Sequence, residues 1–327
     1  MRVLVVGPLD ADSFADNVIS ALRQMGHEVF AAGPARHTPR NPRLSNAVHI
    51  LSDRVASLDE ASQRHVVEAA AQHKPDVVLT MDSRLRPSTV AKLQAYAGRV
   101  ALWFPDHVAN LGRHEVFLAP YDRIFLKNPD LVRQLQTVHG LPVTYMPEAA
   151  NPLWHRPVGD YGTDPHIVVA GNVHPTRAIL LRRLLEAKVP LRIYGPALAG
   201  WIDFPDVRAA QVGRSVHREE KSTVFRGARG VLNNLHPAEW SGSNCRLFEA
   251  AACGAAVLTE WRPAMSDLFD REAELVSWTT FDELVDRCRF VLADDLPAAP
   301  IADAASTRAL RDHTYDIRLN EILRALA

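Results

Sequence analysis

Short runs of Val, Ile and Leu alternate along the chain with longer stretches in which apolar residues recur every three or four positions. The short runs predict buried strands, and the longer stretches predict amphipathic helices. This alternation is typical of parallel sheets that helices cover on both faces. In the first half the pattern predicts a sheet of about seven strands, with strands over residues 3–6, 28–32, 76–81, 99–104, 123–126 and 143–146, and helices over residues 14–25 and 58–73 and after Pro87.

The composition changes over residues 146–165, where Pro, Gly and Asp are too dense for a helix or a central strand. We interpret this stretch as a linker between two domains. Beyond it the alternation restarts, with strands predicted over residues 166–170, 191–194, 230–233 and 256–259 and helices over 177–187, 215–226, 244–253 and 281–293. The Ala- and Asp-rich residues 298–305 are predicted to form a surface loop, and residues 307–312 and 317–326 to form the last helices.

The fold prediction is therefore α/β, with two successive doubly wound parallel-sheet domains. A length of 327 residues suits two domains that each bury a core. Doubly wound sheets bind ligands beyond the carboxyl ends of their strands, so we expect two such sheets facing a deep cleft to hold a ligand there.

Composition and charge narrow the classes of function. The chain has 37 Lys and Arg against 38 Asp and Glu, a formal net charge of -1, which argues against nucleic acid as a partner. No apolar run is long enough to span a membrane, and the N-terminus enters a strand pattern directly, so we expect a cytoplasmic protein. The three cysteines contain no CxxC pair and are expected to be small buried residues in a reducing compartment. The sequence does not indicate an oligomeric state.

Several enzyme classes lack their essential motifs here. The chain contains no GxxxxGK[ST], no GxGxxG after either first strand, no HExxH and no GxSxG. These absences argue against P-loop nucleotidases, ordinary NAD dehydrogenases, zinc proteases of that class and α/β-hydrolases. No residue is assigned to a metal.

Residues 233–254 run from a predicted strand through a small polar loop into a helix. The free N–H groups and positive dipole end of a helix start suit a phosphate or a diphosphate. Gly242 and Ser243 let the backbone approach an anion closely, and either Ser243 or Asn244 can cap the helix. Arg246 adds a cation, and Glu249 lies one further turn along, where it can accept hydrogen bonds from sugar hydroxyls. The alternative is a capped helix that only packs its apolar residues into the core.

Residues 246–259, RLFEAAACGAAVLT, resemble a signature of GT-B glycosyltransferases of the group 1 superfamily, and are most similar to its CgeB-like, spore-maturation branch. The residues around Trp103, the linker at residues 146–152, the Gly171-Asn172 pair with Arg177, and residues 232–236 resemble that branch in the same order. The resemblance implies two Rossmann-like domains: residues 1–150 would bind the acceptor and residues 151–313 the nucleotide-sugar, with the C-terminal helix over residues 314–327 packed back on the first domain.

The resemblance also implies the activity, namely transfer of a hexose-like sugar from a UDP-, GDP- or dTDP-sugar to an acceptor hydroxyl or amine, with retention at the anomeric carbon. It implies a small-molecule nucleotide-sugar as co-substrate and no required metal or other cofactor. Glu249 matches the glutamate that holds the ribose, Arg177 and Lys221 are candidates for the cations beside the diphosphate, and a solvated helix charge is the alternative for Lys221. Arg177 is assigned to catalysis. The set assigned to donor binding is Gly171, Asn172, Tyr194, Gly195, Lys221, His236, Ser241, Gly242, Ser243, Asn244, Arg246 and Glu249.

Ser241 stands where superfamily members often carry a second acid, eight positions before the ribose glutamate. Either the acid role has moved to Glu239, or a hydroxyl or backbone N–H now contacts the sugar. This departure slightly favours a non-catalytic GT-B-like protein that binds a nucleotide-sugar or carbohydrate. A GT-B-type epimerase is a further alternative.

In the first domain, Asp106 and His107 follow a buried strand and are the candidates for catalysis. Asp106 would orient or deprotonate the acceptor hydroxyl, and His107 would contact the donor sugar or stabilise charge. The alternative is that Asp106 caps the next segment and His107 is an ordinary loop histidine. The residues assigned to acceptor binding are Gly7, Pro8, Leu9 and Asp82.

Overall fold

The computed structural model describes residues 1–36, 48, 50–52 and 54–327. Contacts between residues divide the chain into two compact units, one of Met1–Pro147 with Arg318–Ala327 and the other of Glu148–Ile317. No helix in these described ranges is long and apolar enough to cross a membrane.

The first unit is built around a parallel sheet of six strands in the order β2-β1-β3-β4-β5-β6. The strands pair in register, for example Val3 with Val77 and Val78 with Val100, and residues 3–6, 77–80 and 100–104 are buried. The strands are β1 (Arg2–Val6), β2 (Glu28–Gly33), β3 (Val77–Thr80), β4 (Arg99–Phe104), β5 (Arg123–Leu126) and β6 (Val143–Tyr145).

Helices that connect these strands cover the sheet. The last of them begins where Asn128 accepts a hydrogen bond from the Leu131 N–H at 2.9 Å and Pro129 occupies the first helical position, and it ends at Gly140 with a φ of 64°. The helices are α1 (Phe14–Gln24), α2 (Ala56–Ser62), α3 (Arg64–His73), α4 (Pro87–Gln94) and α5 (Pro129–His139), with 3-10 turns at Val108–Asn110 and His114–Leu118.

The second unit contains a parallel sheet of five strands in the order β11-β10-β9-β7-β8. These strands are β7 (Asp164–Ala170), β8 (Leu191–Tyr194), β9 (Ala228–Asn233), β10 (Val257–Glu260) and β11 (Val276–Trp278). The helices are α6 (Pro175–Glu186), α7 (Pro205–Ala209), α8 (Arg218–Gly227), α9 (Cys245–Ala252), α10 (Phe281–Leu292), α11 (Ala299–Asp312) and α12 (Tyr315–Leu326), with a 3-10 turn at Pro263–Asp267. From Arg318 onward the chain groups with the first unit.

Two apolar clusters form the core of the second unit, one on each face of its sheet. One contains Phe225 and Phe248 from α8 and α9, and the other contains Leu181 and Leu284 from α6 and α10. A sheet with helices on both faces is the doubly wound arrangement that the alternating pattern predicts.

Several predicted elements need correction. The surface loop predicted over residues 298–305 is wrong, because Ala298, Ala302, Ala305 and Ala309 are buried at helical spacing on or next to α11. The helix predicted over residues 58–73 is divided at Gln63. The described residues of the first unit form a sheet of six strands, against about seven predicted. Strand β11 was missed, since three residues are too few for a periodic pattern.

Candidate active site

Strand order places the expected ligand site of the second unit between β7 and β9. The chain goes from β7 to β8 on one side and then returns to β9 on the other side, so the carboxyl ends of β7 and β9 flank the switch point. Doubly wound sheets bind ligands at this position. Gly171 follows β7, and Asn234 follows β9.

Arg177 joins these two strand ends. Its Nε donates to Asn234 Oδ1 at 2.8 Å, its Nη2 to the Asn234 carbonyl oxygen at 3.2 Å and its Nη1 to the Asn172 carbonyl oxygen at 2.8 Å. All three acceptors are neutral, so the positive charge of Arg177 is held in place without being cancelled by them. Burial and the neighbouring Arg246 lower the pKa of Arg177, and an arginine still remains charged at neutral pH.

Arg246 is the second cation at this point, and it arrives from the first turn of α9. A Cβ atom placed on Gly171 would lie 2.5 Å from Arg246 Nη2 and 3.9 Å from Arg177 Nη1. Gly171 also has a φ of 99°, which a residue with a side chain rarely adopts. Among the residues that the structure describes, no carboxylate pairs with Arg246. Two guanidinium groups therefore converge on one glycine, an arrangement that favours an anion between or beside them.

His174 lies at the start of α6 and is uncharged at neutral pH. Its side chain accepts a hydrogen bond from the Arg177 N–H at 3.3 Å as the helix cap. Burial, and then the charges of Arg177, His236 and Arg246, lower the pKa of His174 to about 4. The His174 ring also makes an edge contact with the ring of His236, with 5.2 Å between centroids.

The loop between β9 and α9 contains the Ser241, Gly242 and Ser243 assigned to the donor, and all three are buried. Asn244 is the cap of α9, with its side chain accepting from the Leu247 N–H at 3.3 Å. Of the two residues predicted to cap this helix, Ser243 and Asn244, the cap is therefore Asn244. The capped-helix interpretation is also correct as far as it goes, because Leu247, Phe248 and Ala251 are buried in the core.

Lys221 and Glu249 form a buried ion pair between α8 and α9. The Nζ of Lys221 lies 3.0 Å from Oε2 of Glu249, and the two side chains are 10% and 9% exposed. The interpretation of Lys221 as a solvated helix charge is therefore wrong. Lys221 reaches the carboxylate that the sequence assigned to the ribose.

Tyr194 and Gly195 end β8 beside the Gly171 turn. The Gly171 N–H donates to the Tyr194 carbonyl oxygen at 2.8 Å, and a Cβ on Gly195 would lie 2.5 Å from the Gly171 carbonyl oxygen. Only glycine fits at position 195 with the backbone in this place. The guanidinium of Arg214 lies 5.8 Å from the centre of the Tyr194 ring.

The first unit has a cavity of about 280 Å³ at its own switch point, between β1 and β3. It brings together Pro8, Asp82 and Asp106, which the sequence analysis assigned to the acceptor or to catalysis. The wall also includes the start of α1 and Arg84. The lining residues are Pro8, Ser13, Phe14, Ala15, Met81, Asp82, Ser83, Arg84, Phe104, Pro105, Asp106 and Asn110.

The other three residues predicted for the first unit do not line this cavity. Gly7 is buried, with the place of its missing Cβ 3.0 Å from the Cβ of Ala15. Leu9 is 47% exposed. His107 caps the 3-10 turn that follows β4, where its Nδ1 accepts from the Ala109 N–H at 3.0 Å.

Asp82 and Asp106 both make local hydrogen bonds. Asp82 accepts from the Ala35 N–H at 3.1 Å and the Arg84 N–H at 3.0 Å. Asp106 accepts from the His107 N–H at 2.7 Å and from Nδ2 of Asn110 at 2.9 Å. These bonds fix the two carboxylates at the cavity wall, and they fit the capping alternative for Asp106 as well as a catalytic role.

The sequence analysis assigned no role to His174 or Asn234, which hold Arg177 in place. The His174-Pro175 pair carries a usable signal, because a cap followed by proline at the first helical position marks a helix start. Asn234 has no comparable signal, since its contact with Arg177 spans 57 positions along the chain.

Comparison with known protein families gives one match, which lies mainly in the second unit. Residues 177–324 match the protein-family model described as Glycosyl transferase-like. A search of curated protein sequences finds no significant match.

Solved structures with the same fold cover nearly all of the chain. Sucrose-phosphate synthase from Thermosynechococcus elongatus has a TM-score of 0.68 at 13% identity, over 100% of this chain and 99% of that chain. HepE from Anabaena in complex with UDP has a TM-score of 0.65 at 13% identity, over 100% and 99%. AviGT4, a glycosyltransferase involved in avilamycin A biosynthesis, has a TM-score of 0.62 at 15% identity, over 100% and 97%. The chain therefore has the GT-B fold, as predicted.

Proposed function

We propose that this protein is a glycosyltransferase that moves a hexose-like sugar from a UDP-, GDP- or dTDP-sugar to an acceptor hydroxyl or amine. The observation that carries the proposal is the convergence of Arg177 and Arg246 on Gly171 at the switch point of the second sheet. The GT-B fold and the glycosyl transferase-like match of residues 177–324 support it. The likeness to the CgeB-like branch stays a prediction.

The chemistry of sugar transfer needs positive charge at the leaving group. When the bond between the anomeric carbon and the phosphate oxygen breaks, negative charge accumulates on the nucleoside diphosphate. Fixed cations that are already in place stabilise that charge without reorganisation. Arg177 is fixed by three hydrogen bonds, and Arg246 is held against Gly171 at the start of α9, so this pair suits the leaving diphosphate.

The remaining residues of the second unit are proposed to hold the rest of the donor. Glu249 would accept from the ribose hydroxyls, and Tyr194 and Gly195 would lie beside the base. His236 and Asn172 are proposed to contact the donor near the arginine pair, and residues 241–244 would offer the helix start to the diphosphate or the sugar. HepE was solved in complex with UDP, so UDP is the first nucleotide to test.

The cavity of the first unit is proposed to bind the acceptor through Pro8 and Asp82, with Asp106 orienting or deprotonating the acceptor nucleophile. Gly7, Leu9 and His107 lie outside its lining, and their roles stay predictions from the sequence. We further propose that the transfer retains the anomeric configuration and needs no metal. The anomeric coupling constant of the product, and activity in chelator, test these two points.

Product analysis tests the function as a whole. The protein is incubated with UDP-, GDP- and dTDP-hexoses and a panel of hydroxyl and amine acceptors, and the mixture is separated by mass. Transfer gives equal amounts of free nucleoside diphosphate and glycoside, and Arg177→Gln should abolish both. If a nucleotide-sugar binds and no acceptor is ever glycosylated, the proposal is wrong.

A non-catalytic nucleotide-sugar-binding protein is the second candidate. Two observations favour it: Ser241 replaces an acid, and both oxygens of Asp106 accept hydrogen bonds from the turn that follows it. Such a protein binds donor without consuming it. A GT-B-type epimerase would instead return an isomerised donor, which the same separation detects.

A further inference from the structure

The ion pair between Lys221 and Glu249 is the feature of the second unit that the resemblance does not account for. Its Nζ–Oε2 distance is 3.0 Å, and both side chains are about nine-tenths buried. Burying two charges costs much of what their attraction gains, so such a pair is weak evidence for a role in stability. A functional reason for its position is therefore worth testing.

Helix α8, which carries Lys221, is held in place by contacts with the C-terminal end of α9. The residue after it, Ser222, lies with its Oγ 3.1 Å from Sγ of Cys253, directly after α9. One turn further along α8, Arg226 donates from Nη1 to the Gly254 carbonyl oxygen at 2.7 Å. Helix α8 is thus fastened to the C-terminal end of α9, and the ammonium group reaches Glu249 from a fixed direction.

The ion pair makes the two oxygens of the Glu249 carboxylate inequivalent. Lys221 pairs with Oε2 of Glu249, and Oε1 is the second acceptor oxygen of the same carboxylate. A carboxylate oxygen accepts hydrogen bonds and donates none, so Oε1 suits a hydroxyl group. Lys221 therefore determines which oxygen of Glu249 is offered to a ligand.

We propose that Lys221 is a positioning residue that fixes the Glu249 carboxylate so that Oε1 accepts from the ribose 2′-hydroxyl. This contact makes the site select ribonucleotides over 2′-deoxyribonucleotides, which narrows the proposed donors to UDP- and GDP-sugars. The inference rests on the proposed function, because it places the nucleotide ribose at Glu249. It adds a selectivity and the residue that maintains it.

The size of the effect follows from the type of bond. A hydrogen bond from a ligand hydroxyl to a buried carboxylate is charge-assisted, and loss of such a bond weakens binding by roughly 10- to 100-fold. We expect 2′-deoxy-UDP to bind the wild-type protein weaker than UDP by a factor in this range.

Titration calorimetry with UDP and 2′-deoxy-UDP on the full chain tests the proposal. In Lys221→Met the ratio of the two dissociation constants should fall to within about 3-fold, while Lys221→Arg should restore it. Lys188→Met, an exposed lysine of the same unit, is the matched control and should keep the wild-type ratio. A purely structural ion pair would change stability and leave the ratio as it is, and that result would overturn the proposal.

If Lys221→Met does not fold, Lys221→Gln keeps a donor without the charge and is measured instead, with the same expected fall in the ratio. If wild-type protein binds dTDP or 2′-deoxy-UDP as tightly as UDP, the selectivity is absent and the inference is wrong although nucleotide binding stands. If no nucleoside diphosphate binds wild-type protein, the proposed function fails first.

Discussion

The guanidinium of Arg177 donates to both the side chain and the main chain of Asn234, at 2.8 and 3.2 Å. Its third bond, to the Asn172 carbonyl oxygen, links the end of β9 to the end of β7. These two strand ends flank the switch point of the second sheet. Because neutral oxygens hold Arg177, its charge remains to act on a ligand. The proposed donor site depends on this relationship.

Two substitutions of Asn234 test separately its hydrogen bond to Arg177 and its lack of charge. Asn234→Ala removes one acceptor of Arg177, so we expect the free energy of unfolding to fall by about 1–3 kcal/mol. Asn234→Asp keeps an acceptor but adds an anion beside Arg177, so stability should be retained while the dissociation constant for UDP rises at least about 10-fold. Urea denaturation and calorimetry measure the two effects. An Asn234→Asp variant that binds UDP as the wild type does would contradict the assigned role of Arg177.

Gly171→Ala is expected to displace Arg246. The new Cβ would stand 2.5 Å from Arg246 Nη2, so the guanidinium must move away, and the φ of 99° adds about 1–2 kcal/mol of destabilisation. Nucleotide binding should weaken with it.

Gly213→Ala is the matched control for that variant. Gly213 also has a positive φ, of 82°, yet nothing lies within 4 Å of the added Cβ. It should lose stability to a similar extent and bind nucleotide normally. If Gly171→Ala and Gly213→Ala bind nucleotide equally well, the position of the Arg246 guanidinium does not affect nucleotide binding.

We expect the folded protein to lose stability in acid because His174 becomes protonated. Its pKa is about 4 in the folded protein against an ordinary value near 6.5, so folding disfavours the protonated ring. The contribution of His174 to stability is therefore fully present above about pH 6.5 and is lost as the pH falls through the folded value near 4.

Thermal midpoints measured between pH 7 and pH 4 test this expectation. His174→Asn keeps a helix cap and removes the titration, so its midpoint should fall less steeply with acid than that of the wild type. Parallel curves for the two proteins would show that His174 is not held neutral by Arg177, His236 and Arg246.

Asp106→Asn tests the proposed acceptor side. Asn keeps a side-chain oxygen that can accept from the His107 N–H, so the turn after β4 should persist. Loss of the carboxylate should lower kcat by at least about 100-fold and leave the dissociation constant for the donor unchanged. Unchanged kcat would assign Asp106 to capping alone.

Much of the fold could be predicted from the sequence because it follows from local periodicity. The strands that flank both switch points, and the helix start at Asn244, come from short buried runs and a capping residue. Composition misled at α11, where alanines and aspartates indicate a loop until the burial of Ala302 and Ala305 is known.

The residues proposed for the site could be selected from the sequence, whereas their contacts with one another could not. Arg177, Arg246 and Glu249 were all candidates, yet the meeting of Arg246 with Gly171 joins positions 75 apart and has no local signature. The partner of Lys221 was missed for the same reason, because a charged run on a helix most often faces solvent. Which residue such a side chain contacts depends on how the helices and strands pack against one another.

The most direct test of the donor site is the thermal midpoint of wild type, Arg246→Gln and the exposed control Arg289→Gln with UDP, GDP and dTDP. A nucleotide at 100 times its dissociation constant adds about 2.7 kcal/mol of stability, or roughly 5–10 °C for a unit of this size. We predict such a shift for one nucleotide in the wild type and in Arg289→Gln, and its loss in Arg246→Gln. No shift with any of the three nucleotides, or an equal shift in all three proteins, would contradict the assignment of the arginine pair to the diphosphate.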